Sequence, residues 1–311
     1  ELTEATYRGA CHLLFDAGVP YRPVDLADLG SDPLLPGVLV LPNLAGISDD
    51  DCASIAEYVR AGGALIATGM TSLFDEDGEP RKEFGLAGVL GVRVAGPRPE
   101  RDALATYDAA GALELRPDAE IAFAESDVVS RYEGTAVRVS VDADRRVVAV
   151  TGSDSSPAIV AGEYGRGRVV YMPLDLDRRY LREPQPAHAA ILERLVRWCT
   201  DAEFPVVVEC SGTVGAYLYE KDQDLVLHLL NYSGVDTMNS LSSTPSAVSN
   251  LEITVAAGSR GACRVRSLTR DAEWTMRATD GRLRLTLDEI VEQEVLVISP
   301  IVAESAAGAA S

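Results

Sequence analysis

The sequence predicts an α/β protein: a doubly wound sheet over residues 1–201, then a C-terminal β-sandwich over 204–300. Three stretches carry this reading. Gly37 to Phe74 has the pattern strand, helix, strand, and Ala158 to Cys199 has that of a hairpin closed by a helix. From Val206 onward the pattern is short strands and turns with no helical period.

In chain order, Glu1 to Ala17 reads as a helix with Leu2, Tyr7, Ala10, Cys11, Leu14 and Phe15 toward one side and Gly18 as its stop. A doubly wound domain normally opens on a central strand, so a helical start gives the expectation of a piece of a longer polypeptide. Val19 to Leu26 reads as a short strand. Val38 to Leu41 is wholly apolar and ends at Pro42-Asn43, which suits a parallel strand covered on both faces. Ser48 is placed to cap the next helix. Asp49, Asp50 and Asp51 lie where the positive end of the helix dipole favours carboxylates, with Asp51 at the capping-box position. Cys52, Ile55, Ala56 and Val59 then share one face, while Glu57 and Arg60 point away. Gly62-Gly63 ends the helix, because glycine takes the left-handed conformation without steric cost, and Ala64 to Thr68 completes a right-handed crossover.

Beyond a turn at Asp77-Gly78, Phe84, Leu86, Val89 and Leu90 fit a short helix ending at Gly91. Leu113 to Leu115, Ala119 to Phe123, Ala136 to Val141 and Val147 to Thr151 read as an antiparallel excursion. Ala158 to Glu163 and Arg168 to Met172 make a hairpin around Tyr164-Gly165-Arg166-Gly167, its second strand returning to a mainly parallel sheet. Asp175 to Tyr180 reads as a polar loop, and Ala187 to Cys199 as a helix with Ile191, Leu195 and Trp198 opposite Arg194 and Arg197. Asp201 to Pro205 is the boundary. Farther on, Val235 to Asn250 reads as a long Ser/Thr-rich loop and residues 301–311 as a disordered tail.

Composition removes several function classes. Asp and Glu number 48 against 28 Lys and Arg, a net charge of −20 that repels nucleic acid and anionic membranes. Lys82 and Lys221 are the two lysines. Such an acidic, lysine-poor surface suits salt adaptation and a GC-rich genome equally. Cys11, Cys52, Cys199, Cys210 and Cys263 are scattered and read as reduced, buried thiols, and three separated histidines give no metal signature. No cofactor motif is read either, since Gly165-x-Gly167 precedes a strand where a phosphate loop needs a helix N-terminus. No apolar run approaches the ~20 residues of a membrane span, and no signal peptide opens the chain. The expectation is a soluble, cytoplasmic protein.

Few residues are candidates for chemistry. Thr71 and Ser72 follow the strand Ala64 to Thr68, where a nucleophile would need a positioned base, and capping of the next turn is the plainer role. His188 is the best candidate base, against a surface or packing role; its neighbour Glu193 diverges from it on a helix. Cys11 and His12 point about 100° apart and form no dyad. His228 reads as a core or interface residue. Asp175, Asp177, Arg178, Arg179 and Tyr180 form the densest polar cluster, at the strand end where such sheets present binding groups. It reads either as a solvated, internally paired loop or as a contact with another subunit or domain.

The stretch from Leu39 to Val92, GEYGRGRVVYMPLD at Gly162 to Asp175, and LHLLNYSG at Leu227 to Gly234 carry a resemblance. With RGACHLLFDAGVPY at the start and VEQEVLVIS at the end, nearly the whole chain resembles the trimerisation domain and C-terminal β-domain of family 42-type β-galactosidases and related glycoside hydrolases. The resemblance implies a flavodoxin-like, class I amidotransferase-like fold. It also implies self-association, commonly as trimers, and an N-terminal catalytic barrel through which the parent enzyme meets its carbohydrate substrate. Nothing in this chain resembles that barrel, so the piece itself is expected to be non-catalytic. Amidotransferase relatives place a nucleophilic Cys on a strand-to-helix elbow; here Gly69-Met70-Thr71-Ser72 follows the strand and no Cys is near. The competing hypotheses are a stand-alone amidotransferase-like hydrolase and a carbohydrate-binding module using Tyr217, Tyr219, Tyr232 and Trp274. Self-association of so acidic a chain should be promoted by salt, which screens its long-range repulsion.

Overall fold

The structure, a computed structural model, describes residues 2–29, 37–95, 106–123, 130–152, 154–200, 203–234 and 245–301. The chain divides into two compact units, Glu1–Glu203 and Phe204–Ser311.

In the first unit the elements run α1 (Leu2–Asp16), β1 (Val38–Leu41), α2 (Asp49–Arg60), β2 (Ala64–Thr68), α3 (Ala87–Leu90), β3 (Val92–Val94), β4 (Thr106–Leu115), β5 (Ser130–Val137), β6 (Val139–Val141), β7 (Arg146–Thr151), β8 (Pro157–Tyr164), β9 (Gly167–Met172), α4 (Leu176–Arg182) and α5 (Pro186–Thr200). The main sheet has the order β1-β2-β9-β8-β7-β4-β5. β1 and β2 are parallel neighbours, with Val38 opposite Ala64, and β2 is parallel to β9. The remaining four pairings are antiparallel, so the expected mainly parallel sheet is mixed. The reason is local. β9 is delivered by the two-residue turn Gly165-Arg166, which forces it antiparallel to β8, and the whole excursion then extends the sheet sideways.

The strand–helix–strand unit forms as its residues dictate. Ser48 Oγ accepts the Asp51 amide at 3.0 Å and donates to Asp51 Oδ2 at 2.7 Å, so the box closes through the hydroxyl instead of the Ser48 amide. Ile55 and Val59 of α2 are fully buried against Leu65 and Ala67 of β2, Val169 and Tyr171 of β9, and Leu86 and Leu90 around α3. α5 packs across β1, β2 and β9. The intervening residues Ala64, Ile66, Val170 and Met172 are equally buried, as expected of strands covered on both faces. α1 packs on α4 and α5 through Thr6, Ala10, Leu13 and Leu14, whereas Tyr7, expected on that face, is 48% exposed.

Four expectations need correction. Val19 to Leu26 is not a strand: Pro20 and Pro23 lack amide donors, and the segment ends in a single 3₁₀ turn, Leu26–Asp28, capped by Asp25. Ala119 to Phe123 is a turn, because Asp118 and Phe123 exchange backbone hydrogen bonds of 2.9 Å and the Asp118 carboxylate takes the amides of Glu120 and Ile121. The run Ala136 to Val141 breaks at Arg138, leaving β5 in the main sheet and β6 paired with β3. Asp175 to Tyr180 is helical, within α4 and its N-cap.

The second unit is all β: β10 (Val206–Glu209), β11 (Val214–Lys221), β12 (Asp224–Asn231), β13 (Val248–Ala256), β14 (Ala262–Ser267), β15 (Glu273–Arg277), β16 (Arg282–Ile290) and β17 (Gln293–Pro300). Two antiparallel sheets, β10-β13-β16 and β11-β12-β17-β14-β15, enclose a core of Leu227, Leu229, Leu251, Ile253, Val265, Leu283, Leu296 and Ile298, giving the expected β-sandwich. Of the expected loop Val235 to Asn250, residues from Val248 are strand and 235–244 lie outside the described residues, as does the tail beyond 301. His228 is half-buried on the outer side of β12, not in the core.

Candidate functional site

The polar residues of the first unit converge where β1, β2 and β9 end. Three residues with left-handed backbones, Asn43 (φ 46°), Gly69 (φ 54°) and Ser72 (φ 65°), turn the loops after β1 and β2 tightly against each other. A Cβ on Gly69 would lie 2.5 Å from Asn43 Oδ1, so only glycine fits there. Asn43 ties the loops together. Its amide donates to Thr68 Oγ1 (2.8 Å), its Oδ1 accepts the Met70 amide (2.7 Å) and its Nδ2 donates to Asp175 Oδ1 (3.2 Å).

α4 brings the five candidate residues onto this frame with most of their polar groups turned inward. Asp175, Asp177 and Tyr180 are 6%, 1% and 1% exposed. Asp175 pairs with Arg178 and its amide donates to the Tyr132 hydroxyl at 3.0 Å. Asp177 Oδ2 accepts from Thr68 Oγ1 at 2.8 Å, while Oδ1 has no hydrogen-bond partner. Tyr180 donates to Asp16 Oδ2 of α1 at 2.7 Å, and Arg179 pairs with Glu183. The guanidinium-bearing side chains of Arg178 and Arg179 retain about a fifth of their surface to solvent. α1 seals the cluster from behind, Gly9 lying directly on the Asp177 carbonyl.

The candidates for catalysis are spoken for structurally. Thr71 and Ser72 are fully buried. Thr71 Oγ1 donates within the Thr68–Leu41 carbonyl pair (2.7 and 3.2 Å) and accepts the Leu44 amide; Ser72 Oγ accepts the Leu86 amide at 3.1 Å. Both cap the turn. His188 is fully buried beside Tyr180, ring centroids 6.4 Å apart, with no hydrogen-bond partner on either ring nitrogen. It therefore packs, and neither ring nitrogen meets a hydroxyl or thiol that it could activate. The described residues hold no cluster of three His, Cys, Asp or Glu side chains able to bind a metal. A shallow groove of about 650 Å³, lined by Pro23 to Ala27 and Asp51, lies elsewhere and presents no nucleophile.

Burial sets the charge states here. Desolvation raises Asp177 to about 7, reinforced by the neighbouring Asp175 charge, and raises Asp175 against the pull of Arg178. It lowers His188 to about 4, helped by Arg179. Between pH 3.8 and 7 the folded chain holds the Asp177 proton that the unfolded chain has lost, so this group makes stability fall with rising pH by about 1.4 kcal/mol per unit. Between 4 and 6.5 the unfolded chain alone carries the His188 proton, so stability rises with pH at the same rate. The two nearly cancel over the shared window. Asp177→Asn should uncover the histidine: its melting temperature should climb from pH 5 to 6.5 relative to the parent's. Identical pH profiles for the two would mean Asp177 is ionised in the fold.

The sequence does not single out Asn43, Thr68 or Tyr132 as site residues. Pro42-Asn43 after an apolar strand was the available signal for the first, and a glycine at position 9 inside a helix signalled the close approach of α1. Nothing in the sequence marks Tyr132.

Strand ends filled by the chain's own helix, on a mixed sheet followed by a β-sandwich, define a two-unit α/β and all-β protein whose first unit is closed where such folds present binding groups. The sequence model described as the beta-galactosidase trimerisation domain matches residues 22–185, and the chain belongs to that family. It is 34% identical over 152 residues to beta-galactosidase BbgII of Bifidobacterium bifidum, a match spanning 48% of this chain and 21% of that enzyme. This chain thus covers about a fifth of its curated relative. Among solved structures it resembles alpha-L-fucosidase isoenzyme 2 from Paenibacillus thiaminolyticus (TM-score 0.71, 16% identity, 94% of this chain and 45% of the other). It also resembles the beta-galactosidase from Bacillus circulans sp. alkalophilus (TM-score 0.64, 14% identity, 96% and 37%). At such identities the likeness is one of fold, and it takes in both units.

Proposed function

We propose that this chain is the oligomerisation and accessory portion of a β-galactosidase-like glycoside hydrolase, non-catalytic by itself. The parent's chemistry on carbohydrate would be done by an N-terminal barrel. The observation that carries the reading is the strand-end site: in an amidotransferase-like enzyme this corner would be open around a nucleophile, and here α4, Asn43 and α1 fill it. The parallel trio β1-β2-β9 with helices on both faces is the part that supports a flavodoxin-like ancestry. Arg178 and Arg179, the outward members of the cluster, are the contact we assign to the rest of the enzyme. The cysteines are free thiols, which suits a cytoplasmic setting. Two measurements test the reading together. The purified chain should turn over neither aryl-galactosides nor glutamine, and light scattering should find it self-associating, more so as salt rises from 0.01 to 1 M. Turnover abolished by Ser72→Ala or His188→Ala would refute the non-catalytic assignment.

A further inference from the structure

We propose that the outer face of the five-stranded sheet is a contact surface for a second copy of this chain, and that it meets the acidic first unit of that copy. The proposal rests on the self-association reading above and names a surface for it.

An antiparallel sheet with one buried face should alternate apolar inward and polar outward. β12 and β17 break that rule. Leu225, Leu227, Leu229, Leu296 and Ile298 fill the core, yet the residues between them are again apolar or aromatic. The strand register assembles these into two cross-strand rows, Tyr219–Val226–Val297 and Tyr217–His228–Val295. None of the six belongs to the core cluster or packs against it. Tyr219 is 58% exposed, and its ring stands edge-on to His228 at 5.6 Å. A continuous apolar centre on a solvent face is the signature of a surface that becomes covered.

Charge selects the occupant. The same face carries Lys221, Arg264, Arg266 and Arg277 against Asp224 and Glu273, a positive balance on a chain of net charge −20. Two such faces placed together would oppose like charges, which disfavours a two-fold, face-to-face contact. The first unit, with 34 acidic and 20 basic residues, carries −14 of the chain's net charge, and the second, about half as long, holds 14 and 8. A positive face on the second unit and a first unit of net charge −14 are complementary head to tail, a contact that builds a ring where its rotation closes. Five strands at ~4.8 Å spacing and up to eight residues at ~3.3 Å make a face of roughly 600 Å². Buried against a partner, that amounts to about 1,200 Å² in all, the lower end of specific interfaces. The apolar rows supply the attraction, which salt leaves intact while it screens the repulsion between two chains of charge −20, and the arginines bias the choice of partner surface.

Sedimentation velocity on the full 311-residue chain tests this, with folding followed by circular dichroism and melting temperature. The double variant Val297→Glu/Arg266→Glu should weaken association at least tenfold. Tyr219→Ser, on an exposed edge strand where misfolding is not at issue, should weaken it in the same direction. A parent that associates while folded variants associate equally well overturns this surface and leaves the oligomerisation reading standing. A parent that stays monomeric to about 1 mM, the scale of the weakest encounters, removes both. Saturable lactose binding lost in Tyr219→Ser, with association unchanged, would assign the face to carbohydrate instead and overturn the second copy.

Discussion

Gly9→Ala should destabilise the first unit by about 3 kcal/mol or more, lowering its melting temperature by roughly 6–12 °C. Taken by itself, alanine in a helix interior is favoured over glycine by about 1 kcal/mol. Here, however, the new Cβ would stand 1.8 Å from the Asp177 carbonyl oxygen and 2.5 Å from its carbon, both backbone atoms that cannot rotate away. α1 would have to lift from α4, and the Tyr180–Asp16 hydrogen bond would go with it. Gly88 in α3 is the internal control, since a Cβ there meets nothing within 4 Å. Gly88→Ala should be neutral or mildly stabilising. Equal melting temperatures for the two variants would show that α1 does not pack as described.

In the second unit, Glu294→Ala should cost about 3 kcal/mol. Glu294 is fully buried, with Oε1 accepting from Ser267 Oγ (2.7 Å), Thr269 Oγ1 and the Val295 amide (2.9 Å), and with Oε2 2.5 Å from Arg270 Nε. One carboxylate thus organises the turn between β14 and β15. Arg270 is 41% exposed and can return to water, so most of the loss comes from the stranded hydroxyls and amide. Glu294→Gln keeps the Oε1 acceptor and should cost about half as much. Chemical denaturation of the parent and both variants orders the three; a Gln variant as unstable as the Ala variant would shift the weight to the ion pair.

The elements legible in the sequence were those whose signals are local and redundant. Ser48, three aspartates and Gly62-Gly63 bracket α2; Ile191, Leu195 and Trp198 mark α5; Gly165 fixes the β8–β9 turn. What escaped was set by distant partners. The turn at Gly165 makes β8 antiparallel to β9, but nothing near Val160 says that β8, β7, β4 and β5 all extend the sheet that holds β1 and β2, and that extension is what makes the sheet mixed. Asp175 and Asp177 look like part of a solvated loop because their partners, Asn43, Thr68 and Tyr132, lie 43 to 132 positions away. A buried polar helix and an exposed polar loop have the same composition, and only the long-range pairing separates them. The place of this polar cluster at the strand ends follows from topology, whereas its burial does not.

β9 is the seam of the main sheet, parallel to β2 on one side and antiparallel to β8 on the other. The two sides differ in the order in which they can form. The β8 side closes through a two-residue turn, a microsecond event. The β2 side joins Leu65 to Val169, and its loop-closure entropy must be met before any contact rewards it. The excursion from β4 to β8 can therefore assemble around its own hairpins while β1 and β2 still wait for their neighbour. Thr68, Gly69 and Asn43 meet Tyr171, Asp175 and Asp177 only when that ladder zips, so the strand-end corner is complete only once both halves of the sheet have joined.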